Sequence, residues 1–232
     1  MDNIFMNLLN LYAKNKSGVK TPIEDFTTEI LASLLAKDSD LLTHFMNEIL
    51  LIEGNHFKVE TQKKYILQDD TDCIIDVVIS NQETLCFLEN KVNSLEGYKQ
   101  LERYKKVLHQ FTKHKNIYLR YCTKYYDLKK ISNINFHQIR WRDIYRFLLN
   151  YADNETITDF FNYLRRMNMA GADDFNFNFN DMQVMNQFLS TISKLDECLD
   201  AVTPEFTDIF GAPYSYDFEP LKQVPKFNRY AI

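Results

Sequence analysis

The stretch from residue 72 to residue 91 reads DCIIDVVISNQETLCFLENK, and it decides the fold that we expect. Both halves are rich in Val, Ile, Leu and Phe, which favour β-strands, and the polar NQET between them is typical of a hairpin loop. If residues 81–84 form that loop, Ser80 pairs with Leu85 across the two strands. The sequence therefore predicts an antiparallel hairpin with this register.

Two carboxylates and one amine come together in this hairpin. The register places Asp76 opposite Glu89, with about 5 Å between the Cβ atoms. Side chains alternate between the faces of a strand, so Glu89 and Lys91 share a face and Asn90 points away. Two carboxylates this close inside apolar strands are unfavourable unless a cation compensates them, and Mg²⁺ prefers carboxylate, water and phosphate oxygens. The alternative is a salt bridge between Lys91 and either carboxylate on an ordinary sheet.

The segments around the hairpin predict an α/β chain with a mixed central sheet flanked by helices. Helices are expected over residues 3–13, 21–35, 39–51, 95–111 and 141–150, and strands over 56–67, 73–80, 85–92, 117–122 and 136–139. Thr21 is the expected N-cap of the second helix and Pro22 its first residue. The first three strands should form an antiparallel meander, and the expected order of the core is α-α-β-β-β-α-β-α-β-α.

The last eighty or so residues differ from this core. We expect helices over residues 154–169 and 181–202, followed by a tail with four prolines and no clear periodicity. The predicted domains are therefore a catalytic core over residues 1–152 and a helical C-terminal extension over residues 153–232. The irregular tail either docks onto the body or continues into a longer chain. The acidic extension is a candidate surface for a partner protein or for a second copy of the chain.

Charge is segregated along the chain, although the net charge is only -5. Residues 91–146 carry 14 Lys/Arg against 4 Asp/Glu, a local +10. Residues 1–90 carry 7 basic against 15 acidic residues, and residues 167–232 carry 4 against 10. The middle segment is a candidate phosphate-facing surface, and the alternative is a set of solvated helix faces.

Several classes of protein are excluded by the composition. No stretch approaches the roughly eighteen apolar residues of a membrane span, and the N-terminus lacks the basic start of a secretory signal. We therefore expect a cytoplasmic protein without a membrane partner. The four cysteines and five histidines are scattered, which argues against a zinc site.

Three short motifs give the chain a family resemblance. They are the Glu-Asn-Lys step at 89–91, the QLERY at 100–104 and the RWRDI at 140–144. Together with the predicted elements they resemble the PD-(D/E)XK nuclease superfamily, particularly the branch with an E-N-K strand and a Q-L-x-x-Y helix. The resemblance covers roughly residues 21–149 and implies a restriction-endonuclease-like core. One departure is Ile75, which stands where the superfamily has proline.

The resemblance also implies roles for individual residues. Asp76 and Glu89 would be ligands of Mg²⁺, with Mn²⁺ as a substitute, and the backbone carbonyl of Asn90 a further ligand. Lys91 would be the catalytic lysine. Gln100 would contact the phosphate or a metal-bound water, and its alternative is a surface amide of the helix.

The superfamily has a further acidic residue on its first helix, for which two candidates compete. Glu24 falls inside the apolar arc of the predicted helix, whereas Glu29 falls just beyond its edge. We prefer Glu24 and keep Glu29 in reserve. The alternative for Glu24 is a capping box with Thr21.

The resemblance leads to two hypotheses of function. The first is a DNA endonuclease of prokaryotic anti-phage defence, and nothing in the sequence separates DNA from RNA. The second is a non-catalytic nuclease-like scaffold in a multi-protein complex, and the complete Asp76, Glu89 and Lys91 set favours the enzyme. The candidate nucleic-acid contacts are Lys99, Arg103, Lys106, Arg120, Lys124, Arg140 and Arg142.

Overall fold

The computed structural model of the chain describes residues 3–14, 23–67, 71–111, 114–171 and 179–211. Its helices are α1 (Ile4–Lys14), α2 (Ile23–Lys37), α3 (Ser39–His44, continued by a π-helical turn over Phe45–Ile49), α4 (Gln100–Gln110), α5 (Trp141–Leu149), α6 (Glu155–Arg166) and α7 (Phe179–Phe210). Its strands are β1 (Lys58–Tyr65), β2 (Cys73–Ser80), β3 (Thr84–Lys91), β4 (Asn116–Thr123) and β5 (Asn135–Arg140). Thr21 and Pro22, the expected start of α2, lie outside the described residues.

The five strands form one mixed sheet in the order β1-β2-β3-β4-β5. β1, β2 and β3 are antiparallel neighbours, whereas β3, β4 and β5 run parallel. Ser80 pairs with Leu85, as the hairpin register predicted. The Asn81 side chain accepts hydrogen bonds from the backbone N–H groups of Glu83 and Thr84 and so holds the turn. The predicted α/β class with a mixed sheet between helices is confirmed.

Each face of the sheet is covered by its own apolar core. On one face α2, α3 and α5 pack on the sheet, and residues such as Leu35, Ile79 and Trp141 are buried there. On the other face α4 packs on the sheet, where Phe87 and Leu101 are buried. Both faces of β3 are therefore shielded from water, which explains why its sequence is apolar almost throughout.

The alternation of faces along β2 reverses at Asp76. Val77 and Ile79 lie in the core under α2 and α5, but Ile75, two residues before Val77, lies in the core under α4. Strict alternation would place all three on one face. Across from Asp76, Gln62 of β1 has a left-handed backbone with φ 49°, which is uncommon for a residue other than glycine. The side chains of β2 therefore exchange faces at Asp76.

Two predicted helical segments are wrong. α4 begins at Gln100 and not at residue 95. Lys99 adopts a left-handed conformation with φ 49°, which a right-handed helix cannot include. Tyr98, which falls within the predicted helix 95–111, is 80% exposed in the preceding loop. The expected order also has a helix between the fourth and fifth strands, but residues 124–134 form a loop.

The chain divides into two compact units, Met1–Asp174 and Phe175–Ile232. α6 belongs to the first unit, because the Asn3 amide donates to the carbonyl of Asp159 and the Phe5 ring packs edge-on against Phe160. α6 therefore packs with the first unit, and the domain boundary expected after residue 152 stays a prediction. In the second unit the described residues form α7, which is longer than the predicted 181–202. Within the described part of the chain, no helix combines the length and apolar character needed to cross a membrane.

Candidate active site

The candidate site forms where β2 and β3 separate. Their ladder ends at the pair Val77 and Leu88. One residue further, the Asp76 carboxylate accepts a hydrogen bond of 2.9 Å from the backbone N–H of Asn90. The Asn90 side chain points to the opposite face and donates to the Thr28 hydroxyl of α2 at 3.0 Å. In a continued ladder a backbone carbonyl of β2 would accept the hydrogen bond from Asn90 N–H, and here the Asp76 carboxylate accepts it instead.

Glu89 is the most enclosed charged group of the site. Its side chain is 0% exposed. Oε1 lies 2.6 Å from the Lys91 ammonium and accepts a second hydrogen bond of 2.6 Å from the Gln100 amide. Oε2 lies 2.8 Å from the Tyr104 hydroxyl. The structure therefore brings Lys91 and Gln100 to the same carboxylate.

Tyr104 is a site residue that the sequence argument did not single out. Its hydroxyl also lies 2.6 Å from the carbonyl of Ile74 and 2.7 Å from the Gln100 amide nitrogen. Tyr104 has one hydroxyl hydrogen, so it cannot donate to both Ile74 and an ionised Glu89. A proton on Glu89 removes this conflict. The available signal was the four-residue spacing from Gln100, which places both side chains on one face of α4.

The pKa shifts at the site agree with a proton on Glu89. Burial, together with the charge of Asp76, raises the pKa of Glu89 to about 8. Burial also raises the pKa of Asp76, and Asp25 on α2 adds to this shift. Burial alone would lower the pKa of Lys91, but the Glu89 carboxylate outweighs it and the pKa of Lys91 is raised. When both acids are ionised, their two negative charges outnumber the single positive charge of Lys91, and a bound cation would relieve this excess.

Glu24, and not Glu29, lies at this site. Glu24 Oε1 accepts hydrogen bonds from three consecutive backbone N–H groups, those of residues 92–94, at 3.3, 3.2 and 2.8 Å. Its other oxygen accepts from the Ser94 hydroxyl at 2.9 Å and lies 3.9 Å from the Lys91 ammonium. Glu24 therefore fixes the chain where it leaves β3. Glu29 is exposed on another part of α2.

The expected surface position of Arg120 is wrong. Arg120 is 1% exposed, and its guanidinium donates to the backbone carbonyls of Leu50, Leu119 and Asn135. It connects α3 to β4 and β5 and is not available to a nucleic acid.

The other candidate nucleic-acid contacts differ in their exposure and in their hydrogen bonds within the fold. Arg140 donates to the carbonyl of Lys124 at 2.6 and 3.2 Å, so its guanidinium holds the loop after β4. Arg142 is exposed beside Asp143, at 3.7 Å. Lys99 and Lys106 are exposed, and Arg103 is half-buried on α4. The basic segment thus contains both surface cations and cations engaged in the fold.

A family model described as the PD-(D/E)XK nuclease superfamily matches residues 3–170. The chain belongs to the PD-(D/E)XK nuclease superfamily. The match ends close to the end of the first compact unit and leaves α7 outside it. A search among curated proteins gives no significant match.

Members of the PD-(D/E)XK superfamily typically use divalent metals, and the donor set here fits one. Among the described residues, no three His, Cys, Asp or Glu side chains gather into a group that could hold an ion. The set consists instead of the two carboxylates of Asp76 and Glu89, which suits Mg²⁺ because this ion keeps several waters and takes one or two carboxylates. Burial and the charge of Asp76 raise the pKa of Glu89, and a bound cation would favour its ionised form.

Proposed function

We propose that the protein is an Mg²⁺-dependent nuclease that hydrolyses phosphodiester bonds with Asp76, Glu89 and Lys91. The observation that carries the proposal is the fully buried Glu89 carboxylate, held beside Asp76 with the Lys91 ammonium 2.6 Å away. An ordinary salt bridge explains the contact between Glu89 and Lys91. It does not explain a second buried carboxylate at the same place, because the single ammonium of Lys91 cannot balance two ionised carboxylates.

Each residue of the site has a distinct role in this proposal. Asp76, Glu89 and the carbonyl of Asn90 would hold Mg²⁺, or Mn²⁺ in its place, which when bound supplies Lewis acidity and a more acidic water. Gln100 and Tyr104 fix the Glu89 carboxylate through the hydrogen bonds described above. Such supporting contacts orient a ligand and tune its basicity.

Lys91 acts through its charge. Its raised pKa means that Lys91 keeps its proton at neutral pH, so it serves as a cation and hydrogen-bond donor and not as a general base. Phosphodiester hydrolysis adds negative charge to the phosphate oxygens as water attacks phosphorus and the ester oxygen leaves. An ammonium at this place stabilises that charge. Glu24 keeps the turn after Lys91 in position through its backbone hydrogen bonds.

The proposal extends to the substrate and setting. We take DNA as the first substrate and endonucleolytic cleavage as the first activity, supported by the resemblance and by the surface cations Lys99, Lys106, Lys124 and Arg142. The resemblance to restriction and anti-phage proteins supports a role in prokaryotic defence in the cytoplasm, where invading DNA is found.

The test is a cleavage assay with the purified chain. Plasmid DNA, single-stranded DNA and RNA are each incubated with Mg²⁺, Mn²⁺ or EDTA. We expect metal-dependent cleavage that Asp76→Ala and Lys91→Ala abolish while their melting curves match the wild type. Glu24→Ala should reduce cleavage, and Glu29→Ala, on the same helix, is the matched control. Cleavage at the wild-type rate by Asp76→Ala or Lys91→Ala would refute the assignment.

A second candidate function, a scaffold that assembles through the extension, is favoured by α7. Met182, Met185 and Leu189 are more than half exposed and follow each other at three- and four-residue steps, and Phe206 and Phe210 repeat this spacing. Such a stripe is typical of a helix that packs against another helix. We propose that a second copy of this chain covers it. Light scattering should give a dimer that Leu189→Glu converts to a monomer, and a monomeric wild type would refute this candidate.

A further inference from the structure

Two loops beside the candidate site carry exposed tyrosines. Residues 92–99 follow β3 and carry Tyr98, and residues 124–134 follow β4 and carry Tyr125 and Tyr126. The three side chains are 80%, 62% and 76% exposed, respectively. A tyrosine exposed to this degree contributes little apolar burial to the fold. Packing in the hydrophobic core therefore does not account for these three tyrosines.

The two loops lie next to each other at the edge where Lys91 is found. β3 and β4 are parallel and Lys91 pairs with Thr123, so the loops leave the sheet side by side. The backbone N–H of Lys124 donates to the carbonyl of Lys91 at 3.0 Å. The Lys129 ammonium of the second loop lies 3.1 Å from the Glu96 carboxylate of the first. An ion pair thus joins the loops into one surface beside the catalytic lysine.

The loops combine their aromatic rings with cations. The Lys99 ammonium lies 5.2 Å from the ring centroid of Tyr98, and the Lys124 ammonium lies 5.1 Å from that of Tyr125. The Arg103 guanidinium donates to the carbonyl of Tyr98 at 3.1 Å and attaches this loop to α4. Aromatic rings next to basic side chains are the features with which proteins bind unpaired nucleotides, because bases stack on the rings and cations contact the phosphates.

We propose that Tyr98, Tyr125 and Tyr126 form a stacking surface for the unpaired nucleotides of single-stranded nucleic acid or of strand ends. This substrate class rests on the proposed nuclease function. In an uninterrupted duplex the base faces are stacked on one another and are not available to a side chain. The surface therefore selects nucleic acid whose bases are free to leave the stack, and it holds the strand beside Lys91.

The test measures binding in EDTA, which separates binding from cleavage. A labelled oligonucleotide of mixed sequence is titrated as single-stranded DNA, as RNA of the same sequence and as the DNA duplex, with fluorescence anisotropy as the readout. The wild type should bind the single strands more tightly than the duplex. Tyr98→Ala and Tyr125→Ala should each weaken single-strand binding at least about fivefold, the lower limit for loss of one stacked base. The DNA and RNA arms show which single strand is preferred.

Two controls separate stacking from other effects. Tyr98→Phe and Tyr125→Phe keep the ring and should retain wild-type affinity. The salt dependence of binding should keep its slope in the alanine variants, because no cation is removed. Unchanged single-strand affinity in both alanine variants, or an equal loss on the duplex, would overturn the proposal.

Binding and cleavage assays on the wild type and the tyrosine variants separate a failure of this proposal from a failure of the nuclease function. If the wild type cleaves duplex DNA with Mn²⁺ and the tyrosine variants bind normally, only the substrate class is wrong. If single strands bind in a tyrosine-dependent way but no metal supports cleavage, the nuclease function is wrong and the stacking surface stands.

Discussion

Substitution of Glu89 by glutamine should change how stability depends on pH. The pKa of Glu89 is raised from 4.5 to about 8 in the fold. Between these values the folded protein holds a proton that the unfolded chain has lost, so the free energy of unfolding falls as pH rises. The contribution of Glu89 is fully present below about pH 4.5 and is lost as pH rises through about 8.

The magnitude follows from the size of the shift. One pKa unit corresponds to about 1.4 kcal/mol, so the difference between 4.5 and about 8 amounts to at most about 5 kcal/mol. Glutamine resembles the protonated acid, since its amide can donate toward Tyr104 as the acid would. In EDTA, Glu89→Gln should therefore be more stable than the wild type above about pH 8, by several degrees in Tm.

The assay is thermal unfolding in EDTA between about pH 5 and pH 9. Glu83→Gln in the exposed β2–β3 turn is the matched control and should follow the wild type. Saturating Mn²⁺ should remove the wild-type loss of stability at high pH, because the metal takes the ionised carboxylate, and should do little for Glu89→Gln. Identical pH profiles for the wild type and Glu89→Gln in EDTA would show that the fold does not raise the pKa of Glu89.

Three further predictions test other parts of the structure. Tyr104→Phe removes the hydroxyl that holds Glu89 and should lower Mn²⁺ affinity by about 10- to 100-fold, measured by calorimetry, with the fold intact; wild-type affinity would contradict this role. Arg120→Met leaves three backbone carbonyls without their donor and should lower the free energy of unfolding by about 3 kcal/mol or more in urea titrations, whereas a surface arginine would give almost no change. Replacing Lys99, Arg103 and Lys106 together by glutamine should flatten the log–log salt dependence of DNA binding by up to about 0.9 per lost contact, and an unchanged slope would show that α4 faces away from the substrate.

The local part of the site could be predicted from the sequence. The hairpin register follows from loop length and strand alternation, and it gave Ser80 opposite Leu85. The same alternation placed Glu89 and Lys91 on one face and Asn90 on the other, as the contacts show. These relations hold over a few residues, where the backbone geometry leaves little choice.

Features that depend on tertiary packing could not be predicted in this way. Arg120 looked like a surface cation because its type is usually exposed, but three carbonyls from distant segments converge on it. The sequence predicted a helix from residue 95, yet the left-handed backbone of Lys99 makes α4 begin at Gln100. The exchange of side-chain faces at Asp76 could not be predicted either, because the residues of β2 on both sides of Asp76 are apolar.

In the proposed mechanism Asp76 and Glu89 bind the metal while Lys91 acts on the phosphate. Mn²⁺ calorimetry combined with a cleavage assay on the wild type, Asp76→Asn and Lys91→Met separates these roles. We expect Asp76→Asn to lose both Mn²⁺ binding and cleavage, whereas Lys91→Met keeps Mn²⁺ binding and loses cleavage. Undiminished Mn²⁺ binding in Asp76→Asn, or wild-type cleavage by Lys91→Met, would contradict this mechanism.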